Sequence, residues 1–263
     1  MGRFDGQVAW VTGASRGIGR AVALALAGEG AAVALTARDE RDLEAVRATI
    51  SARGGRALVA AADVSDAGAV ADAHRQVAQA LGPVDLMVNN AAVLQPAPAL
   101  RARPADVDRM WRVNVLGVIH CTQASVPAMV ERHRGRVVNV SSVLGARVMP
   151  LYAGYCATKW ALMAFSDTLR VELRGTGVSV TVVLPTGTDT DMNRHPDLPE
   201  RVRARARAGR YMSPEAVADA LLLGAWRRDR TVWCSRRSHA LALAARALPD
   251  LADRWMARSG ERG

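Results

Sequence analysis

The sequence predicts an α/β protein built on one doubly wound parallel sheet of about seven strands, with helices on both faces. Short, continuously apolar, β-branched runs alternate with longer stretches of helical spacing, which implies right-handed crossovers between parallel strands. The chain has 263 residues, 50% of them hydrophobic, enough for one large core and short for two full domains. No internal repeat or low-complexity linker divides it, so residues 1–263 read as a single domain with a core of about 5–235.

The expected strands are the runs QVAWVTG (7–13), AAVALTA (31–37), RALVAAADV (56–64), VDLMVNNA (84–91), GRVVNVSS (135–142) and VSVTVVLP (178–185), with RTVWCS (230–235) closing the sheet. Helical spacing covers 18–28, 40–53, 67–81, 104–132 and 155–174. Residues 186–212, which include RVRARARAGR, read as an insertion beside the core that forms a substrate lid. Residues 238–263 read as a basic helical extension interrupted by Pro249.

Charge and cysteine content narrow the class. The net charge of +10 is uneven: residues 1–193 carry 20 basic and 17 acidic side chains, residues 194–263 carry 15 and 8. No aromatic interleaving or nucleic-acid motif accompanies the basic tail, so solvated arginine-rich helices are expected and nucleic acid is not. Three cysteines without pairing logic or metal spacing suit a reduced, cytoplasmic setting and no metal site. The N-terminus runs almost directly into an apolar strand with no signal-peptide layout. The uncharged run 113–130 contains Asn114, His120, Thr122, Gln123 and Ser125, which fits a buried helix better than a membrane span.

The first strand leads into Thr12-Gly13-Ala14-Ser15-Arg16-Gly17-Ile18-Gly19, followed by a helix. Glycines there let the backbone turn tightly and let a pyrophosphate approach the unpaired N–H groups of the helix N-terminus. Placed in the first strand-to-helix turn, the pattern marks a Rossmann-like dinucleotide site. The second strand ends Thr36-Ala37-Arg38, without the carboxylate that would accept a ribose 2′-OH and repel a 2′-phosphate. Arg16 and Arg38 are forks suited to that phosphate, which favours NADP(H) over NAD(H). Asp39 and Glu40 follow closely and stay open as a helix cap or as competing carboxylates.

The 35 basic residues are 34 arginines and one lysine, Lys159, in Tyr155-Cys156-Ala157-Thr158-Lys159. Tyrosine and lysine at i, i+4 share a helix face. An ammonium about 4 Å from a phenolate gains roughly 4 kcal/mol at an effective dielectric of 20, about three pKa units, so a lowered Tyr155 pKa is expected. Lysine also supplies rotatable donors that reach a sugar's hydroxyls, which an arginine fork does less well.

Taken together, the glycine loop TGxxxGIG, Asn89-Asn90-Ala91, the mid-helix Asn114, Asn139-Val140-Ser141-Ser142 and Tyr155…Lys159 resemble the short-chain dehydrogenase/reductase family, NADP(H)-preferring, over about residues 5–235. The resemblance implies that Ser142 hydrogen-bonds a substrate carbonyl, with Ser141 the adjacent alternative facing the opposite side. It implies that Tyr155 is the general acid–base, that Lys159 grips the nicotinamide ribose and lowers the tyrosine's pKa, and that Asn114 completes a proton relay through a water. It further implies cofactor contacts from Gly13, Ser15, Arg16, Gly17, Ile18, Gly19, Arg38, Asp63, Val64, Asn90, Ala91, Pro185, Thr188 and Thr190. Two departures stand out: Ala92 replaces the glycine of NNAG, and Thr186 replaces the glycine usual after Pro185, with Gly187 one place late.

The expected reaction is reversible hydride transfer between NADP(H) and a carbonyl or alcohol. The pocket is expected between the loop after Ser142 and the lid, lined by Val143, Leu144, Val148, Met149, Leu151 and Met192, which favours an apolar ketone or aldehyde. The lid arginines read as a solvated face or as a reader of an acidic carrier. Leu241, Leu248, Leu251 and Trp255 fall on one stripe if the tail helix survives Pro249, for packing on the chain or a partner, or for peripheral membrane contact. The family resemblance adds a homodimer or homotetramer. The rivals are an NADP(H)-binding sensor without turnover and an NAD-dependent alcohol dehydrogenase.

Overall fold

The structure, a computed structural model, describes residues 2–198, 200–209 and 211–260. Its strands are β1 (Val8–Thr12), β2 (Ala32–Thr36), β3 (Arg56–Val59), β4 (Leu86–Asn89), β5 (Gly135–Val140), β6 (Val178–Leu184) and β7 (Thr231–Trp233). They form one parallel sheet in the order β3-β2-β1-β4-β5-β6-β7. Every residue of β1 and β4 is buried, as continuous apolarity requires of strands covered on both faces. All seven fall inside the expected runs.

The helices are α1 (Gly17–Gly28), α2 (Glu40–Ser51), α3 (Ala67–Leu81), α4 (Pro104–Trp111), α5 (Gly117–Glu131), α6 (Ala153–Glu172), α7 (Glu200–Arg207), α8 (Pro214–Arg227), α9 (Arg236–Ala247) and α10 (Pro249–Gly260). Leu26 of α1, Leu43 and Ile50 of α2, and Leu221 and Leu222 of α8 fill the core on one side of the sheet. Val77 of α3, Met129 of α5 and Leu169 of α6 fill it on the other, around Trp10. Trp10 Nε1 donates to Thr36 Oγ1 (2.8 Å), which donates to Ala60 O (2.7 Å), so the large ring is buried without stranding its N–H.

The expected helix 104–132 is one path with a π turn, Arg112–Leu116, inserted around Asn114. This path, Pro104–Glu131, is long and apolar enough to cross a bilayer by composition, yet half of its apolar window is buried against β4, β5, α3 and α6. Helix α8 was not among the expected elements, although Ser213 caps it through Ala216 N–H (3.1 Å) and Pro214 opens its first turn.

Residues 186–212 fold over the C-terminal edge of the sheet. Their two ends are pinned by Asp189 N–H to Met212 O (2.9 Å) and Met212 N–H to Gly187 O (3.0 Å). A Cβ at Gly187 would lie 2.6 Å from the Tyr211 ring, which accounts for glycine at this place and not at 186. Within α7, Glu200 pairs with Arg203 (3.0 Å) and Arg207, as a solvated charged face would.

The single tail stripe is not formed. The chain leaves the helix at Leu248 (φ −132°, ψ 66°), before Pro249, because a proline disfavours helical geometry in the residue that precedes it. Leu248 and Leu251 are exposed, and the side chain of Trp255 lies outside the described residues.

Asp85 joins the two strands between which the sheet changes direction. Its carboxylate accepts Val8 N–H (3.1 Å), Arg132 Nη1 (2.9 Å) and Arg134 Nη2 (3.1 Å) from a buried position. Asp85→Ala is expected to lower the unfolding free energy by about 2–3 kcal/mol, the scale of charged hydrogen bonds lost at a partly exposed cluster; urea denaturation would measure it, and no change would deny Asp85 this joining role.

Candidate active site

The crevice opens at the C-terminal ends of β1 and β4, where neighbouring crossovers depart in opposite directions, the usual ligand position in such sheets. A cleft of about 1470 Å³ runs from the glycine loop, past Ala37, Arg38, Asp63 and Val64, to Ser142, Tyr155 and the lid. Expected site residues Gly13, Ser15, Arg16, Gly17, Ile18, Arg38, Asp63, Val64, Asn90, Ala91, Ser142, Tyr155, Lys159, Pro185, Thr188 and Thr190 all line it. Gly19 and Asn114 lie behind its wall.

The glycine loop is held from below. Asn90 Nδ2 donates to Thr12 O (2.9 Å) and Gly13 O (3.3 Å), while Thr12 Oγ1 accepts the N–H groups of Asn90 (3.0 Å) and Ala91 (3.1 Å). Thr12 was not foreseen in this role, and Asn90 serves the loop with its side chain. Gly13 has φ +64°, and a Cβ on Gly19 would sit 2.1 Å from Gly13 O, so larger residues would break the turn. The first turn of α1 has no side-chain cap and no acidic residue, leaving its N–H groups for an anion.

At the end of β2, Asp39 Oδ1 accepts Asp42 N–H (3.2 Å) and caps α2, so its carboxylate is used and does not compete in the cleft. Burial works to raise the Asp63 carboxyl, but hydrogen bonds from Ser65 N–H (2.9 Å) and Ser65 Oγ (2.7 Å), with the charges of Arg38 and Arg109, hold it below the usual range. Arg16 makes an exposed ion pair with Asp191 of the lid (3.3 Å), worth little in energy.

Around the hydroxyl groups, β5 ends in Ser141 and Ser142, which face opposite sides. Ser141 Oγ donates to Lys159 O (3.3 Å), away from the cleft. Ser142 Oγ accepts Leu144 N–H (3.1 Å), which leaves its own proton to donate, and it hydrogen-bonds Tyr155. Leu151, in the loop wall, holds a left-handed φ of 74°, strained for a branched side chain; Ala97 N–H fixes its carbonyl (2.9 Å).

Lys159 is almost completely buried and donates through Nζ to Val140 O (2.9 Å), with Nζ 5.6 Å from the centre of the Tyr155 ring. Burial lowers its pKa from 10.5 to about 8. The expected lowering of Tyr155 is not found: burial pushes the phenol up, Cys156 and Tyr152 add to it, and the Ser142 hydrogen bond only partly opposes it. Desolvation of the phenolate outweighs the ammonium, a balance that residue spacing does not contain.

Asn114 is fully buried and its amide is committed. Oδ1 accepts Val93 N–H (2.8 Å); Nδ2 donates to Val93 O (2.9 Å) and Thr158 Oγ1 (3.1 Å). Its side chain thus fixes the β4 loop and α6. Thr188 Oγ1 donates to Thr186 O (3.0 Å), and Pro185 O accepts Val143 N–H (3.0 Å), tying the lid's root to the Ser142 loop. Of the expected apolar wall, Val143, Leu144, Met149, Leu151 and Met192 line the cleft; Val148 instead turns outward to a shallow apolar hollow beside Trp160, because alternate positions of the loop point opposite ways. Arg147, Arg109 and Gln95 also line the cleft and were not foreseen. Arg147 had a signal: it is the only charged residue between Arg136 and Lys159.

The lysine has a stability signature. With its folded pKa below the unfolded value, the unfolded chain binds more protons between about pH 8 and 10.5, so its contribution rises through that window and is lost as pH falls toward 8. The stability difference between wild type and Lys159→Met is expected to grow with pH over that interval in paired denaturation curves; a flat difference would contradict the buried ammonium.

Comparison with known proteins agrees with this geometry. Residues 7–200 match the family model for short chain dehydrogenases. A short chain dehydrogenase of Pseudocercospora fijiensis is 39% identical over 200 residues, covering 75% of this chain and 64% of its own length. The 3-oxoacyl-[acyl-carrier-protein] reductase of Synechocystis sp. is 36% identical over 219 residues, 83% of this chain and 88% of the relative. Among solved structures, a gluconate 5-dehydrogenase from Burkholderia cenocepacia in complex with NADP and tartrate superposes with a TM-score of 0.80 at 28% identity, covering 88% of this chain and 95% of the other. With residues 7–200 matched by the family model, and a relative 36% identical covered over 88% of its length, the chain belongs to the short chain dehydrogenase family of oxidoreductases.

Proposed function

We propose that the protein is an NADP(H)-dependent carbonyl reductase acting on an apolar ketone or aldehyde. The observation that carries this reading is the meeting of Ser142, Tyr155 and Lys159 in the cleft that begins at the glycine loop. The chemistry of the donor set suits NADP(H): an uncapped helix N-terminus, glycines that no Cβ can replace, and Ala37-Arg38 after β2, with Asp39 occupied as a helix cap. When bound, NADPH supplies the hydride. The N–H groups of Gly17, Ile18 and Gly19 would hold its pyrophosphate, and Arg38, with Arg16 after release from Asp191, its 2′-phosphate. The gluconate 5-dehydrogenase solved in complex with NADP supports the same assignment.

The chain's own chemistry follows from the hydrogen bonds. Ser142, oriented by the N–H of Leu144 on one of its two lone pairs, keeps its proton to give to a substrate carbonyl oxygen and polarises it. Tyr155, kept protonated by burial, is ready to give its proton to that oxygen as the carbonyl is reduced. Lys159 would stabilise the phenolate left behind, and its donors not used by Val140 O would be available to a ribose hydroxyl of the cofactor. Asn114 is a positioning residue, holding α6 at Thr158 between these two groups. Val143, Leu144, Met149, Leu151 and Met192 exclude water from the reacting carbonyl.

Partial exposure of Trp111, Leu116, Trp160 and Val171 on the outer surfaces of α4, the π turn and α6 supports assembly as a homodimer or homotetramer through those helices. A cytoplasmic setting accords with three free cysteines.

Tyr155→Phe is expected to cut NADPH-dependent reduction about 10²–10⁴-fold while fluorescence titration shows NADPH binding unchanged. A sensor would show no turnover in wild type and the same output in the variant. The reduction rate of wild type is expected to be level near neutral pH and to fall above about pH 8, where Lys159 loses its proton; a rate that climbs through that range would exclude this role for the ammonium.

A further inference from the structure

Arg147 sits on the loop that walls the cleft beside Ser142, its backbone N–H donating to Val143 O (3.1 Å). Its Nε is buried without a hydrogen-bond partner. Among the described residues its guanidinium donates no hydrogen bond and has no carboxylate within ion-pair range, whereas Arg16, Arg103 and Arg194, also around the cleft and lid, are each paired. A guanidinium stays charged in proteins, and Arg147 is half-buried with its Nε shut off from both water and partners, an arrangement that costs free energy. Such a group persists against selection for stability where a ligand completes it.

Neither carboxylate in the cleft wall is free to do so. Asp63 is bound by Ser65 and lies near Arg38 and Arg109; Asp191 is paired with Arg16 and Arg194. Around Arg147 the wall is apolar, with Val143, Leu144, Met149 and Leu151. One half-buried guanidinium against apolar surface matches the charge of a monoanion better than that of a phosphate dianion. Its planar fork matches a carboxylate.

We propose that Arg147 binds a carboxylate carried by the substrate, so that the substrate class is an oxo-carboxylate: a reducible carbonyl, an apolar chain and one acidic end. This rests on the carbonyl-reductase reading for the carbonyl and stands on its own for the carboxylate. Specificity then comes from a charge at one end of the pocket and apolar length between, with Ser142 and Tyr155 at the reacting end.

The test is calorimetric binding to the full chain saturated with NADP⁺, using butanoate, hexanoate, octanoate and decanoate against the matched primary amides, for wild type, Arg147→Leu and Arg147→Lys. At least one carboxylate is expected to bind wild type about tenfold or more tightly than its amide, and Arg147→Leu to weaken that carboxylate about 10–100-fold while leaving the amide unchanged. Arg147→Lys is expected to recover part of the loss. Without ligand, Arg147→Leu is expected to melt at or above the wild-type temperature, because a half-buried charge without a partner has been removed. Equal binding of acids and amides, or no binding of either series, would overturn the proposal. So would a lower melting temperature with both series weakened alike, which marks a structural arginine, or a loss of NADPH affinity, which assigns Arg147 to the cofactor's phosphates. Turnover of an oxo-carboxylate is read separately: absence of turnover with intact Arg147-dependent carboxylate binding would count against the reductase reading and leave the anion site standing.

Discussion

Lys159 is an ammonium with almost no exposed surface, at the wall of the cleft, with Val140 O as its hydrogen-bond partner among the described residues. Lowering its pKa from 10.5 to about 8 corresponds to a cost on the order of 3 kcal/mol for burying the charged form. That cost constrains what surrounds it. The carbonyl at the end of β5 must present itself to α6, so the strand cannot shift register against the helix. Ser141 donates to the lysine's own carbonyl, and Gly145 lets the next turn lie against α6, since a Cβ there would come within 2.6 Å of Ser141 Oγ. One helical turn earlier the same constraint delivers Tyr155 to the cleft, within reach of Ser142. An arginine could not fill this place: its fork needs more acceptors than one carbonyl offers.

The other end of the cleft is governed by backbone groups. Thr12 and Asn90, from neighbouring strand ends, cross-link β1 to β4 at the point where the sheet reverses its winding, and the glycine loop rests on that link. The lid's root leans on the same place: a Cβ on Gly17 would meet Thr190 at 3.0 Å. The glycine loop, the segment at Thr190 and the Ser142, Tyr155 and Lys159 side chains are therefore parts of one connected wall.

Much of this was legible in the sequence because it depends on periodicity and residue type. Buried parallel strands are continuous apolar runs, and the glycine loop, Ser142, Tyr155 and Lys159 are chemically distinctive in their positions. What escaped depends on three-dimensional balances. Helix α8 was overlooked despite the Ser213-Pro214 start, since its apolar stretch LLLGAW lacks a clean stripe. The π turn at Asn114 arises from packing on α6 and the β4 loop. The direction of the Tyr155 pKa follows from how completely the phenol is enclosed, which the i, i+4 spacing does not encode. Arg147 was passed over because its meaning lies in the absence of a partner, visible only once the neighbouring carboxylates are seen to be occupied.

The central claim is that this cleft is built for a 2′-phosphorylated dinucleotide beside an acid–base pair. The most direct measurement is a fluorescence titration of the purified full chain with NADPH and, separately, NADH, repeated with Arg38→Ala. The account requires NADPH to bind about tenfold or more tightly than NADH, and the preference to shrink when Arg38 is removed, as loss of a charge-assisted bond to phosphate dictates. Tighter binding of NADH, or binding of neither nucleotide, would contradict it.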